Sequence, residues 1–177
     1  MITLPQRVVA VADALDLARL PWALGGALAL AYATEDPRAT RDIDVNVFVP
    51  AARAGGVLAA LPAGVRYEDA DVATARTTEQ VRVWWDDTPL DLFFSADPFH
   101  GEVAKRSLAV PFEGRSIRVL CAEDLAVFKA RFDRRKDWVD IESMVEWNTI
   151  DLEVAAARLA ALLGDDERVH RLRTLGD

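Results

Sequence analysis

The chain has 177 residues, 51% of them hydrophobic, and a formal net charge of −8. This length fits one domain, and the hydrophobic fraction excludes a disordered chain. Because polynucleotide binders usually present a basic surface, the acidic balance argues against extensive duplex binding, while a local basic patch or a cationic small substrate stays compatible with it.

The sequence carries no signal for export or membrane insertion. No apolar run approaches the roughly 18 residues of a membrane span. The N-terminus lacks the basic and then apolar opening of a signal peptide. Cys121 is the single cysteine, so an intrachain disulfide is impossible. We therefore expect a cytoplasmic protein without a membrane partner.

Two hydrophobic patterns divide the chain. Spacing of three to four residues predicts helices over residues 5–20, over residues 51–61 and repeatedly from residue 122 onward. Short apolar or alternating runs predict strands over residues 22–24 and 42–49, and hairpins over residues 80–95 and 107–119. "ALALAYA", residues 27–33, favours a helix, although its composition leaves a buried strand open.

These patterns predict an α/β (α+β) fold in which helices flank a mixed sheet. The strands and helices through residue 97 would form a core. Residues 98–177 would add a hairpin and a mainly helical C-terminal part that packs on this core.

Three aspartates interrupt apolar strands. In "DIDVNVFV" the side chains of Asp42 and Asp44 project from the same face, because strand side chains alternate. Two carboxylates so close repel each other unless a cation lies between them, and Mg²⁺ prefers such ligands. Asp91, between Leu90 and Leu92, could complete a site for two metal ions. The alternative is that all three acids lie on solvated surfaces.

Gly25 and Gly26 separate a short strand from a helix. Glycines at this place let the backbone approach a ligand and direct the N–H groups of the helix towards it. The pair therefore predicts a phosphate-binding turn, although two glycines also occur in ordinary tight turns.

Together these residues resemble a known family. "GGALALAYATEDPRATRDIDVNVFV", residues 25–49, is similar to the signature of the DNA polymerase beta-type nucleotidyltransferase superfamily. The finer pattern Arg38-x-Thr40-x-Asp42-Ile43-Asp44 resembles the branch that contains abortive-infection (AbiEii-like) toxin nucleotidyltransferases. "EDLAVFKARFDRRKDWVDI", residues 123–141, also resembles that branch, and the resemblance extends over about residues 20–145.

The resemblance implies a role for each matched position. Asp42, Asp44 and Asp91 would bind Mg²⁺ or Mn²⁺, and Asp91 would also assist deprotonation of the attacking hydroxyl. The residues expected to hold or support the phosphates of a nucleoside triphosphate are Gly25, Gly26, Arg38 and Thr40.

Lys129 borders the apolar stripe of a predicted helix. A lysine at such a position must reach solvent or meet a negative partner. One interpretation is a structural ion pair with Asp137. The functional interpretation has Lys129 facing the nucleotide phosphates while Asp137 orients it, and both could hold. Nearby cations would form a solvated link or contact phosphates; they are Arg131, Arg134, Arg135 and Lys136.

The sequence thus predicts a metal-dependent nucleotidyltransferase that moves a nucleoside monophosphate from a triphosphate to an acceptor hydroxyl. The acceptor could be the 3′ end of a transfer RNA, with a cognate antitoxin as protein partner. One alternative is a small cationic acceptor of the aminoglycoside kind. Another is a binding module that holds nucleotide or protein without turnover.

Overall fold

A computed structural model describes residues 2–36 and 39–176. In this part the helices are α1 (Leu4–Leu17), α2 (Gly26–Thr34), α3 (Ala54–Ala60), α4 (Asp69–Thr78), α5 (Phe99–Arg106), α6 (Ala122–Phe132), α7 (Arg135–Glu146), α8 (Leu152–Leu163) and α9 (Glu167–Thr174). A 3₁₀ turn, Ala51–Arg53, precedes α3. The strands are β1 (Trp22–Leu24), β2 (Ile43–Pro50), β3 (Val65–Arg66), β4 (Gln80–Trp85), β5 (Thr88–Ser95), β6 (Leu108–Phe112) and β7 (Arg115–Val119).

The strands of the described residues form one mixed sheet in the order β3-β4-β5-β2-β1-β7-β6. β2 pairs in parallel with β5 and antiparallel with β1. Both predicted hairpins are present, as β4–β5 and β6–β7, and "ALALAYA" lies in helix α2. The predicted α/β fold is therefore confirmed. The division at residue 97 stays a prediction, and the hairpin beyond it extends the same sheet because β7 pairs with β1.

Strand β2 is central to the sheet and has two unlike faces. Its odd-numbered residues from Ile43 to Val49 are buried in the hydrophobic core, as alternation predicts. The opposite face carries Asp44 and Asn46, and helices α2 and α5 contact this strand. The polar side chains therefore lie where helices meet the sheet.

A buried network of ion pairs connects helices α5, α6 and α8. Asp124 on α6 is fully buried and accepts two hydrogen bonds of 2.9 Å from Arg106 on α5 and one of 3.0 Å from Arg158 on α8. Removal of either partner of such a pair leaves a buried charge uncompensated. Burial also raises the pKa of the neighbouring Cys121 thiol to about 11, so this thiol stays protonated at neutral pH.

Within the described residues, no helix is both long and apolar enough to span a bilayer.

Candidate functional site

The predicted acids lie on one face of the sheet. Asp44 on β2 is the register partner of Asp91 on β5, and Asp91 is the register partner of Arg82 on β4. Side chains of register partners point to the same face. Asp42 directly precedes β2 and lies 3.8 Å from Arg82, measured between its Oδ2 and the arginine Nη2. The structure therefore brings together the three acids and one cation that the sequence analysis missed.

The Arg82 guanidinium forms a bidentate ion pair with the Asp91 carboxylate. Its Nε donates to Asp91 Oδ1 at 2.7 Å and its Nη2 donates to Asp91 Oδ2 at 2.6 Å. These hydrogen bonds raise the pKa of Arg82 above its ordinary value, so it is always charged. The sequence pattern of residues 80–95 could have revealed this pair, because a hairpin that turns after Trp85 places Arg82 opposite Asp91.

Asp44 is the buried member of this group. Burial, followed by the charges of Asp91 and Asp42, raises its pKa to about 6, while Lys129 and Lys136 oppose the shift. A carboxylate destabilised in this way is the ordinary partner of a divalent cation. The donor chemistry of Asp42 and Asp44 therefore fits a metal ion.

The arrangement does not yet form a complete metal site. Among residues 2–36 and 39–176 no cluster of three His, Cys, Asp or Glu side chains could hold a metal ion. Both oxygens of Asp91 are instead bonded to Arg82. Metal binding by Asp91 stays a prediction, and it requires Arg82 to release that carboxylate.

The glycine pair allows helix α2 to begin against strand β2. Gly25 N donates to the Asp44 backbone carbonyl at 2.9 Å. Gly26 has a φ of +52°, and a Cβ at this residue would overlap the Asp44 carboxylate. Only glycine fits both requirements. The start of α2 and the Asp44 side chain are thus held in direct contact, as a phosphate and metal site would need.

Thr40 supports the backbone at Asp42. Its hydroxyl accepts a hydrogen bond from Asp42 N at 3.2 Å and lies 3.3 Å from the Asp42 carbonyl, to which it can donate. This contact fixes the backbone conformation immediately before β2. Arg38, the other predicted phosphate contact in this segment, lies outside the described residues.

The predicted ion pair between Lys129 and Asp137 is wrong. Lys129 Nζ contacts Asp140 Oδ2 at 2.6 Å. Asp137 instead accepts hydrogen bonds from the Arg134 backbone N and guanidinium, because it is the third residue of α7 and caps that helix. Asp140 lies one turn further along α7, on the side that Lys129 reaches. Lys129 itself is only 7% exposed.

These elements enclose a cleft with two adjoining chambers. The first, which we call the aromatic chamber, has a volume of about 270 Å³ and is lined in part by Asn46, His100, Leu120, Leu125 and Phe128. The second, the acidic chamber, has a volume of about 660 Å³ and is lined in part by Thr40, Asp42, Arg82, Asp91, Lys136 and Asp140. Their common boundary includes Gly26, Asp44, Phe93, Lys129, Arg134 and Asp137. The two chambers thus meet at the candidate site.

No family model and no curated protein matches the sequence. Solved structures do match. ANT(2″)-Ia in complex with adenylyl-2″-tobramycin is 21% identical, with a TM-score of 0.57 over 96% of this chain and 94% of that one. The solution structure of the antibiotic-resistance factor ANT(2″)-Ia is 20% identical, with a TM-score of 0.55 over 96% and 88%. The chain has the nucleotidyltransferase fold.

A third structure extends the likeness. An antigenic nucleotidyltransferase-like protein from Paracoccidioides brasiliensis is 16% identical, with a TM-score of 0.53 over 94% of this chain and 90% of that one. At these identities the shared nucleotidyltransferase fold is what the comparison establishes. The superfamily resemblance is therefore supported at the level of fold, and the toxin branch stays a prediction.

The close approach at Gly26 can be tested by substitution. We expect Gly26→Ala to lower the free energy of unfolding by roughly 2–4 kcal/mol, because it combines left-handed backbone strain with steric overlap at Asp44. Gly56→Ala is the matched control, since a Cβ there meets nothing within 4 Å. It should be neutral or stabilise α3 by up to about 1 kcal/mol. Equal effects of the two changes in urea unfolding would contradict the proposed contact.

The raised pKa of Asp44 predicts that the stability of the metal-free protein depends on pH. Its folded pKa of about 6 exceeds the unfolded value of 3.8, so the metal-free protein loses stability as pH rises from about 4 past 6. Asp44→Asn removes this cost. With chelator present, the variant should be more stable than the parent at pH 8, by at most about 3 kcal/mol, and equal near pH 4.

The control is a buried aspartate that has cationic partners. Asp124→Asn should destabilise at pH 8, because Arg106 and Arg158 lose their common counter-charge. Thermal unfolding across pH 4–8 compares the two variants. If Asp44→Asn lowered stability at pH 8 as Asp124→Asn does, the assigned cost of the Asp44 charge would be incorrect.

Proposed function

We propose that this protein transfers a nucleoside monophosphate from a nucleoside triphosphate to an acceptor hydroxyl and releases pyrophosphate, with the help of divalent metal ions. One observation carries the proposal: the start of α2, the acids of β2 and the buried Lys129 of α6 border the same cleft. An anion site, a cation site and a fixed positive charge within one cleft are what a bound metal–triphosphate needs.

The phosphates would lie at the boundary of the two chambers. Lys129 and Arg134 border both chambers and Lys136 borders the acidic one. The N-terminus of α2 adds backbone N–H groups and a positive dipole end. These groups would hold the triphosphate in place and offset its charge, with Lys129 and Arg134 positioned by their ion pairs with Asp140 and Asp137.

Asp42 and Asp44 would hold the metal, and Asp91 would join them once Arg82 has released it. When bound, the metal would neutralise charge on the phosphates and on the attacking and leaving oxygens. Thr40 positions Asp42 through the backbone, while Gly26 fixes Asp44. Asp91 could accept the proton of the acceptor hydroxyl only after its bonds to Arg82 are broken.

The charges near the cleft favour a small cationic acceptor over transfer RNA. Arg131 of the predicted basic cluster is engaged in an ion pair with Asp97, and Arg134 borders the chambers where the triphosphate is proposed to bind. An RNA-binding surface needs cations free for phosphates. The net charge of −8 would instead steer a cation towards the acidic chamber. The complex of ANT(2″)-Ia with adenylyl-2″-tobramycin shows an acceptor of this kind on the same fold. Transfer RNA and an antitoxin stay predictions from the toxin-branch resemblance.

Direct labelling tests the proposed activity. The protein is incubated with each α-labelled triphosphate, Mg²⁺ or Mn²⁺, and separate pools of aminoglycosides, transfer RNA or no acceptor. We expect label on a cationic small molecule, and a loss of at least about 100-fold in Asp44→Asn, which removes one metal-binding carboxylate.

The controls separate catalysis from binding. Asp44→Asn must stay folded, which the unfolding measurements above establish. Label on transfer RNA would overturn the choice of acceptor but keep the reaction. Triphosphate binding without labelling of any acceptor would favour the non-catalytic binding module.

Arg82 should compete with the metal. In Arg82→Ala the carboxylates lose their internal cation, so Mn²⁺ should half-saturate at a concentration several-fold to about tenfold lower than in the parent protein. Thermal stabilisation as a function of Mn²⁺ concentration gives this value without turnover. Arg66→Ala, on the edge strand β3, is the control and should leave the metal dependence unchanged. An unaltered Mn²⁺ midpoint in Arg82→Ala would show that the guanidinium does not oppose metal binding.

A further inference from the structure

The side chain of Asn46 forms no hydrogen bond to any residue that the structure describes. It is only 6% exposed and lines the aromatic chamber, on the same face of β2 as Asp44. Among the described residues the single fully buried side-chain polar atom without a partner is Arg7 Nε, so the unbonded amide of Asn46 is not sealed in the interior and faces the chamber. An amide left unbonded at the wall of a cavity is available to a ligand.

Aromatic side chains surround this amide. Phe93 is the register partner of Asn46 on β5 and meets Phe132 edge to face, with ring centroids 5.9 Å apart. Phe128 approaches His100 with a centroid distance of 5.4 Å. Leu120 and Leu125 complete an apolar lining. Aromatic and aliphatic walls that also carry polar side chains, among them Asn46, Gln80 and Thr78, suit a planar heterocycle.

His100 adds a second polar edge. It is only 5% exposed, and its Nδ1 lies 3.1 Å from Asp97 Oδ1. We assign the Nδ1 hydrogen from this contact, because a carboxylate can only accept. The Nε2 of a neutral His100 is then an acceptor. The chamber therefore offers the donor and the acceptor of Asn46 together with a ring nitrogen.

The chamber's position relates it to the nucleotide and separates it from the acceptor. Asp44, Lys129 and Arg134 lie on its boundary with the acidic chamber, where the triphosphate is proposed to bind. A nucleoside attached to phosphates at that boundary could extend into either of the two chambers. The acidic chamber is lined by Asp42, Asp91 and other charged groups, which suit metal and a cationic acceptor. The apolar direction is the aromatic chamber.

We propose that the aromatic chamber holds the base of the nucleoside triphosphate and that Asn46 determines which base is accepted. Adenine is the expected base: an amide pairs in bidentate fashion with an amino group and its adjacent ring nitrogen, which adenine and cytosine both present, and the two rings of adenine cover more of the apolar wall than the single ring of cytosine. The inference rests on the proposed function, since it assumes that the triphosphate binds at Asp44 and Lys129. It adds the part of the substrate that is recognised and the residue that selects it.

The test compares the binding of four nucleoside triphosphates to the intact protein and to Asn46→Leu. Non-hydrolysable analogues with Mg²⁺ and no acceptor give dissociation constants without turnover. The parent should bind the adenine analogue more tightly than the other three, by roughly 5- to 150-fold, as a bidentate base contact provides. Asn46→Leu should bind all four alike, at the level of the weaker three.

A second readout distinguishes base selection from a structural role. Because Asn46 has no partner to lose, Asn46→Leu should leave the melting temperature of the ligand-free protein unchanged or raise it by a few degrees. Thr34→Val is the matched control, since the Thr34 hydroxyl is buried and bonded to the Leu30 carbonyl at 2.9 Å. It should lower the melting temperature and keep the preference for adenine.

The possible failures are separable. If no triphosphate binds with either Mg²⁺ or Mn²⁺, the proposed function fails and the base site fails with it. If all four bind equally to the parent, or if Asn46→Leu keeps the parent's preference, base selection by Asn46 is overturned while the proposed function stands. A preference for another base that Asn46→Leu removes would overturn the choice of adenine.

Discussion

The buried carboxylate of Asp44, held against Gly26, is the constraint on which the site depends. A charge removed from water is costly unless other charges or hydrogen bonds compensate it. Here the backbone dictates the burial, because Gly25 N bonds to the Asp44 carbonyl and the missing Cβ of Gly26 lets the carboxylate approach α2. The charge of Lys129, whose ion-pair partner is Asp140, offsets part of the cost of the Asp44 charge. Strand β2, the turn at Gly25 and Gly26, and the Lys129 side chain are therefore parts of one electrostatic arrangement.

That arrangement requires α6 to stay in place, and the buried network at Asp124 provides the anchor. Arg106 and Arg158 bind Asp124 from two other helices, near the N-terminal end of α6. Lys129 lies further along the same helix and reaches Asp140 on α7. The ion pairs of Asp124 and Lys129, both on α6, thus connect the C-terminal helices to the cleft. Helices outside the sheet thereby position Lys129, whose positive charge lies near the acids of β2.

Local patterns predicted the fold and one face of the site, but not the contacts between helices. Alternation in "DIDVNVFV" placed Asp42 and Asp44 together, and the hairpin over residues 80–95 contained the Arg82–Asp91 pair in its register. The partner of Lys129 depends on how α6 and α7 pack, which no spacing within one helix determines. The unbonded state of Asn46 was equally hidden, because it depends on the residues that α5 and α6 bring to the chamber.

Arg82 explains how the chain can keep three acids together without a metal ion. Its guanidinium, bonded to Asp91 and 3.8 Å from Asp42, offsets part of their repulsion with a single positive charge. It leaves Asp44 with a pKa of about 6, so the compensation is incomplete. A divalent ion brings twice the charge and can contact Asp44 as well as Asp42. If a metal binds as proposed, the remaining cost at Asp44 would favour replacement of the internal cation by that metal, and an arginine that compensated Asp44 fully would remove that advantage.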